Sequence, residues 1–384
     1  MNGKKMKATY QGVTLCLFAF EGTKILGKEG KPVNEYFCMY TLDDASGMSF
    51  EKQVDAILDA ESVLTSFIEE LKAASPVFKR IYLSDAANQA PLIKGVLKNQ
   101  PCAVSVVQQP PLNGSKFALW SYMMTGTDTR LLAGNVSVSS YGGYDDIWLA
   151  NSISTCDDSY SQAYDEFTNY ASLLMKENCT MEVNCIRTWL YVSDIDNRYA
   201  GVVKARNDVF DMEGLTDKTH YIASTGIGGA WEDPKVFCKI DALAVKGITR
   251  GQVHYLYALD HLNRTSDYGV RFERGTYVDY PDRRRVYISG TASIDNKGNV
   301  VFPGDIHSQT LRMWENIEAL LKEADCTFDD VAMFSVYLRD VSDRQEIEKM
   351  FREKFPDIPY IILYAPVCRP GWLIESECIA VKSL

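Results

Sequence analysis

The chain has 384 residues, of which 46% are hydrophobic and 24% are charged, and its formal net charge is −11. This length exceeds one small core and suits two or three domains. The acidic balance argues against nucleic acid as a partner, because phosphate binding needs a basic face. A small anionic ligand needs only a few local arginines and is not excluded.

Targeting and metal signals are weak along the whole chain. No stretch approaches eighteen apolar residues, so no membrane span is expected. The segment VTLCLFAF near the N-terminus is too short for a signal peptide and lacks a cleavage site, so we predict a cytoplasmic protein. The ten cysteines form no CxxC pair and the four histidines are scattered, which predicts reduced thiols and no metal site.

A pattern of one helix and one strand occurs three times. A helix-like segment led by Gln is followed by a strand that ends in Tyr and then Asp. The Gln-to-Tyr separations are 29, 29 and 28 residues, and Asp follows Tyr by three residues each time. The copies begin and end at Gln53, Tyr82 and Asp85, at Gln162, Tyr191 and Asp194, and at Gln309, Tyr337 and Asp340. Shared spacing predicts one tripled unit, with domains over 1–130, 131–250 and 251–384.

Hydrophobic periodicity gives the elements of the first two units. The predicted helices and strands of the first are helix 50–73, strand 77–84, helix 86–97 and strands 102–108 and 116–123. Those of the second are helix 159–176, strand 184–193, helix 197–212 and strands 219–225 and 236–245. Two segments, 125–146 and 247–280, look like connectors. The first is rich in Gly, Ser and Thr, and the second has turn signals at Asn263 and Asp267 but also the strand-like VHYLYAL.

The third unit has the clearest pattern. RRVYISGTASID predicts a strand, NKGNVV a hairpin, and residues 305–324 and 344–355 two amphipathic helices. VAMFSVYLRD, PYIILYAPV and LIESECIAV predict three more strands. The order is β-β-α-β-α-β-β, an α+β unit. Three such units packed as a ring would cover their open sheet edges, so an intrachain pseudo-trimer is expected, and a monomer with it.

The third unit resembles the YjgF/RidA family in YISGTASID, Gln309, ENIEALLKEA, YLRD, FPDIP and IESECIAV. The resemblance covers about 100 residues. It implies a chorismate-mutase-like fold, a trimer and ligand clefts at the seams between units, here formed within one chain.

A second resemblance covers residues 160–384. The segments WLYVSDIDNRYAGVVKARNDVF, HYIASTGIG, FERG and YISGTASID are similar, in that order, to the chorismatases. These are RidA-related enzymes that remove pyruvate from chorismate.

Two residues of the last hairpin are candidates for catalysis. Glu375 matches the acidic residue of both families, and an apolar strand end would raise its pKa and suit it to donate a proton. Its alternative is an edge-strand Glu facing solvent. Cys368 is similar to a cysteine of the hydroxybenzoate-forming chorismatases, where it would steer the product, and its alternative is an ordinary buried thiol.

Substrate-binding candidates come from the same resemblance. Arg274 and Arg369 would hold carboxylates, since guanidinium binds a carboxylate through two parallel bonds, with a salt bridge and a surface arginine as their alternatives. Arg206 is similar to a chorismatase helix arginine, with a solvated helix face as its alternative. The remaining candidates are Tyr221, Thr225, Gly226, Ser289 and Gly290. Thr225 and Gly226 would begin a loop, 225–228, with backbone N–H groups for an anion.

The sequence departs from both families. RidA-type deaminases carry an arginine where PDIPYIIL places Ile361, and CAVSVVQQ and HYIASTGI lack one as well. The chorismatases usually carry a His-bearing loop where this chain has DNKGNVVFPGD. The first unit has lost the acidic pair, so we expect at least one inactive seam.

The resulting hypothesis is a chorismatase-like enzyme. It would remove pyruvate from chorismate or a related enolpyruvyl acid by acid catalysis at the seam between the second and third units, without metal or organic cofactor. A RidA-like imine deaminase with an altered anchor and a non-catalytic small-molecule-binding protein remain the alternatives.

Overall fold

In the computed structural model, which describes residues 3–132 and 135–384, the chain forms three units with the same strand order. Unit one comprises β1 (Lys4–Tyr10), β2 (Val13–Phe20), β3 (Glu35–Leu42), α1 (Phe50–Phe67), β4 (Ala74–Leu83), α2 (Ala86–Gln89), α3 (Lys94–Lys98), β5 (Ala103–Gln108) and β6 (Phe117–Thr125).

Units two and three repeat this plan. Unit two comprises β7 (Asp128–Leu132), β8 (Val136–Tyr141), β9 (Tyr144–Ile153), α4 (Ser159–Lys176), α5 (Met181–Asn184), β10 (Cys185–Val192), α6 (Ile195–Met212), β11 (Ala223–Gly228) and β12 (Cys238–Lys246). Unit three comprises β13 (Val253–Leu256), β14 (Gly275–Asp279), β15 (Arg283–Ala292), α7 (Ile306–Glu323), β16 (Val331–Leu338), α8 (Arg344–Lys354), β17 (Tyr360–Tyr364) and β18 (Ile374–Ser383).

Each unit contains one mixed six-stranded sheet. The orders are β1-β2-β3-β6-β4-β5, β7-β8-β9-β12-β10-β11 and β13-β14-β15-β18-β16-β17. Only the last pair of each sheet is parallel: β4 with β5, β10 with β11, and β16 with β17. These sheets confirm the predicted α+β architecture. In each unit, one additional strand precedes the predicted β-β-α-β-α-β-β order.

In units two and three, the additional strand lies in a segment that was predicted to be a connector. Segment 125–146 holds β7 and β8, and segment 247–280 holds β13 and β14, so the interpretation of both as connectors was wrong. The segment NKGNVV was predicted to be a hairpin, but the pairing there is limited to an isolated bridge between Ile294 and Val300.

The repeated Gln and Asp have structural roles. Each Gln is buried in the first helix of its unit and accepts a hydrogen bond from the backbone N–H that precedes the last strand. The three bonds join Gln53 to Lys116 at 2.7 Å, Gln162 to Phe237 at 2.7 Å and Gln309 to Leu373 at 2.9 Å. Asp340 accepts from the Ser342 N–H at 2.8 Å and begins the helical turn that follows. The repeated Gln-to-Tyr spacing therefore reflects the same hydrogen bond between helix and sheet in each of the three units.

The three units pack against one another in a ring. Strand β5 lies against β9, β11 against β15, and β16 against β2, so each unit contacts both others. Aromatic rings fill the shared interior: Phe78 of unit one stacks on Trp148 of unit two at 4.3 Å between centroids, and Trp148 stacks on Trp189 at 6.0 Å. The helices cover the outer faces, and within the described residues no helix is long and apolar enough to cross a bilayer.

Candidate functional site

A cavity of about 390 Å³ lies at the seam between units two and three. Strand β11 forms one wall of the cavity. It is the edge strand of its sheet, and both of its ends make backbone contacts with unit three. Ile227 makes an isolated bridge with Val367, where the Gly228 N–H donates to the Pro366 carbonyl at 2.9 Å. At the other end Ala223 makes a bridge with Glu273. These backbone contacts hold loops of unit three around the strand and leave the cavity between them.

Most of the predicted site residues meet in this cavity. Eight of the ten line it: Arg206, Thr225, Gly226, Arg274, Gly290, Cys368, Arg369 and Glu375. Tyr221 and Ser289 lie outside the lining. Tyr221 stacks on Phe210, and Ser289 is buried with its hydroxyl donating to the Glu273 carbonyl at 2.6 Å. Thr225 and Gly226 belong to strand β11, so the predicted loop over 225–228 was wrong.

Glu375 lies at the inner end of β18, paired with Tyr337 of β16 and Ala292 of β15. The strand is central and only 4% of the residue is exposed, which excludes the solvent-facing edge position. Burial, with a further contribution from neighbouring Glu377, raises the pKa of Glu375 to about 8. The group therefore favours its protonated form more than an ordinary glutamate does, and it faces the cavity.

Glu377 lies on the same face of β18 in a different environment. It accepts hydrogen bonds from Arg187 at 2.6 Å, from the Trp189 indole at 2.9 Å and from the Tyr337 hydroxyl at 3.0 Å. The Thr225 hydroxyl also donates to it, and accepts from the Gly290 N–H at 2.8 Å. The two acids of this strand thus differ, one being held by donors and the other facing open space.

Cys368 is half-buried at the cavity wall. Burial, followed by the nearby Glu375, raises the pKa of its thiol to about 12. The thiol is therefore neutral at physiological pH, and since the thiolate is the nucleophilic form, the position suits packing or weak S–H donation.

Three arginines give the cavity positive charge. Arg274 donates to the Asn263 side-chain oxygen at 3.0 Å and to the Asn263 carbonyl at 3.1 Å. Arg369 donates to the Gly298 carbonyl at 3.3 Å and lies over the Trp372 ring. Arg206 is only 1% exposed, so the solvated-face alternative is wrong. These groups lie on three separate segments and could hold more than one carboxylate.

Several lining residues were absent from the sequence predictions. Asp196, Tyr199 and Val203 line the cavity from α6, together with Arg206. Their spacing of three and four residues places them on one helix face, so the choice of Arg206 could have identified them. Phe272 and Trp372 also line it, but they lie in loops whose position depends on how the units pack.

The other two seams differ from this one. Between units one and two, the buried Lys239 donates to the Val106 carbonyl at 2.7 Å, to Asn151 at 2.9 Å and to Ser105 at 3.2 Å. Between units three and one lies a cavity of about 330 Å³, where Ile361 and Cys16 are among the lining residues. Across the described residues, no group of three or more His, Cys, Asp and Glu is arranged to hold a metal ion.

Comparison with known proteins gives the class and then the family. A chorismatase crystal structure superposes with a TM-score of 0.61 at 18% identity, over 80% of this chain and 93% of that one, which defines the shared fold. Residues 271–382 match the endoribonuclease L-PSP family. A RutC family protein of Saccharolobus solfataricus is 38% identical over 100 residues, which are 26% of this chain and 79% of that protein. One of Pyrococcus abyssi is 34% identical over 99 residues, 25% of this chain and 78% of that protein. The chain belongs to the RutC family, also called YjgF/RidA.

Proposed function

We propose that this protein removes pyruvate from chorismate or a related enolpyruvyl carboxylic acid. The observation that carries the proposal is a buried carboxyl, Glu375, which has a raised pKa and faces a cavity lined by three arginines. Such a substrate carries two carboxylates and an acid-sensitive enol ether, and the cavity offers a cationic partner for each carboxylate and a proton donor for the ether.

The reaction follows from acid catalysis. Glu375 donates its proton to the methylene carbon of the enolpyruvyl group, and positive charge develops on the ether carbon. Water adds to that carbon and forms a hemiketal. The bond between that carbon and the ether oxygen then breaks while the hemiketal hydroxyl passes its proton to the ether oxygen, so pyruvate leaves and the ring keeps a hydroxyl group. The glutamate regains a proton from the incoming oxygen. The surrounding arginines lower the cost of bringing two carboxylates into a buried site.

The test is pyruvate release from chorismate, coupled to lactate dehydrogenase. Glu375→Gln keeps the size of the side chain and removes the proton donor, so we expect turnover to fall by at least a hundredfold. Glu273→Gln is the matched control, because Glu273 is a second buried carboxyl of the same seam that accepts from the Tyr221 N–H instead of facing the cavity. Ammonia release from enamines without pyruvate would favour the deaminase, and ligand-induced stabilisation without either product a binding protein.

The pH profile of the reaction supplies a second check. Because the active form of Glu375 is the protonated one and its pKa is raised to about 8, kcat/KM should hold at neutral pH and fall tenfold per pH unit above about pH 8. A rate that rises through this range would contradict the role of Glu375 as an acid.

A further inference from the structure

Glu377 is fully engaged by the protein but does not line the cavity. Its two oxygens accept from four side chains, and three of these, Arg187, Trp189 and Thr225, come from unit two. Only Tyr337 belongs to the same unit as Glu377. One of the four donors is the buried guanidinium of Arg187, which forms an ion pair with Glu377 at 2.6 Å. This charge is therefore built into the seam before any ligand arrives.

Glu375 lies two residues away on the same face of the strand. Thr225 joins the two positions, since its hydroxyl donates to Glu377 while its methyl group lies 3.1 Å from the place where a Cβ on Gly290 would stand, beside the Glu375 carboxyl. Both acids are buried, so the Glu375 carboxyl is close to a fixed negative charge in surroundings where like charges repel more strongly than they do in water.

We propose that Glu377 is a positioning residue whose charge, fixed by unit two, keeps the proton on Glu375 until the substrate takes it. The inference rests on the proposed function in one respect, namely that this proton is the one delivered. Unit two would then affect the acid strength of Glu375 as well as the shape of the cavity.

The groups facing Glu375 from each packed element are few. Glu377 lies on its own strand, Arg187 on β10, Arg274 just before β14 and Cys368 on the preceding loop. Gly290 of β15 and Thr225 of β11 carry no charge, and Arg206 and Arg369 line the same cavity. Burial and then Glu377 raise the pKa of Glu375, and Arg187 and Arg274 oppose them. Asp196 also lines the cavity from α6, where it pairs with Arg339. Glu377 is the carboxylate that raises the pKa of Glu375.

The experiment is a direct titration of the Glu375 carboxyl by infrared difference spectroscopy, with Glu375→Gln as the blank. In Glu377→Gln we expect the midpoint to fall by at least one pH unit, because the like charge is gone and the two arginines remain. The upper limb of kcat/KM should move by the same amount. An unchanged midpoint in a folded variant would overturn the inference, since a merely structural residue would lower activity equally at every pH.

Two further variants control the result. Glu273→Gln removes another buried carboxyl of the seam and should leave the midpoint where it is. Glu377→Gln with Arg187→Met removes both members of the ion pair, so no buried charge is left alone if the single variant fails to fold. Its midpoint should lie between those of the wild type and Glu377→Gln, because Glu377 acts on Glu375 more strongly than Arg187 does. A midpoint at or above the wild-type value would overturn the proposal.

The titration needs no turnover, so the two proposals fail separately. A protein that leaves chorismate intact while Glu377→Gln lowers the Glu375 midpoint would contradict the function and support the coupling. Pyruvate release by the wild type, together with an unchanged Glu375 midpoint in Glu377→Gln, would support the function and contradict the coupling.

Discussion

At the scale of single residues, Gly290 makes room for the candidate acid. A Cβ built on Gly290 would lie 2.1 Å from the Glu375 Oε1 atom, well inside van der Waals contact. Because that atom ends a flexible side chain, an alanine there would rotate the carboxyl aside and leave the strand intact. We expect Gly290→Ala to lower kcat at least tenfold and to change Tm by only a few degrees.

The matched control for this variant is Gly251→Ala. A Cβ at Gly251 meets nothing within 4 Å and its backbone is not left-handed, so both activity and Tm should stay near the wild-type values. Turnover by Gly290→Ala at the wild-type rate would mean that the Glu375 carboxyl does not need its present position.

Sequence reasoning found the candidate acid and the arginines because they lie in short motifs, those of Glu375, Arg274 and Arg369 in the C-terminal unit and that of Arg206 in unit two. Glu375, Cys368 and Arg369 fall in one hairpin whose pattern resembles the family. The environment of Glu377 could not be predicted, because three of its four partners come from unit two. These three partners, Arg187, Trp189 and Thr225, precede it by 190, 188 and 152 residues. Only packing brings them together.

At the scale of elements, Arg339 ties two walls of the cavity together. It follows β16 and donates to Asp196 at the start of α6 and to the Val367 carbonyl at 2.7 Å, next to Cys368. One side chain of unit three thus connects a helix of unit two with the segment that carries the cavity thiol.

Exchanging these charges tests the connection. Arg339→Asp and Asp196→Arg alone place like charges together, so we expect the 366–369 segment to loosen and Cys368 to react faster with a thiol reagent, as measured by peptide mass spectrometry. The double variant restores opposite charges and should recover part of the protection, though not the bond to Val367. Equal labelling in all four proteins would contradict a role for this contact.

Sequence reasoning missed the strands that precede the first helix in units one and two, β1–β3 and β7–β9, and it missed β14 of unit three. Strands β7 and β14 have five residues each, too few for alternation to stand out. They form because a longer strand beside each offers backbone partners, which is a tertiary effect. The long helices were predicted well because their apolar faces repeat over four turns or more.

At the scale of the whole molecule, one buried polar cluster joins all three units. Arg285 of unit three donates to Glu35 of unit one at 3.0 Å and to Asp146 of unit two at 3.0 Å. Arg283 also donates to Glu35, at 2.6 Å. Burial opposes ionisation of Glu35, but the two arginines outweigh it and lower its pKa.

Removing the charge of Glu35 should therefore weaken the entire ring. Glu35→Gln leaves two buried arginines short of a partner, and breaking such a pair costs on the order of 3–5 kcal/mol of unfolding free energy. We expect one cooperative thermal transition in the wild type and one at lower temperature in the variant, followed by circular dichroism.

Glu29→Gln is the control, because Glu29 pairs with Lys31 in solvent and should not change the melt. Separate transitions for the three units, or a Glu35→Gln variant as stable as the wild type, would contradict the idea of one cooperative ring.

The different contents of the three seams have a consequence for how this protein can change. In an assembly of identical subunits, every substitution is copied at each junction. Here one polypeptide supplies all three, so a single mutation alters one junction and spares its neighbours. Lys239 is buried at the junction of units one and two, and Glu375 faces the cavity between units two and three. Because they stand at different junctions, neither residue restricts what can occupy the other position. One junction can therefore stabilise the protein while another carries out chemistry.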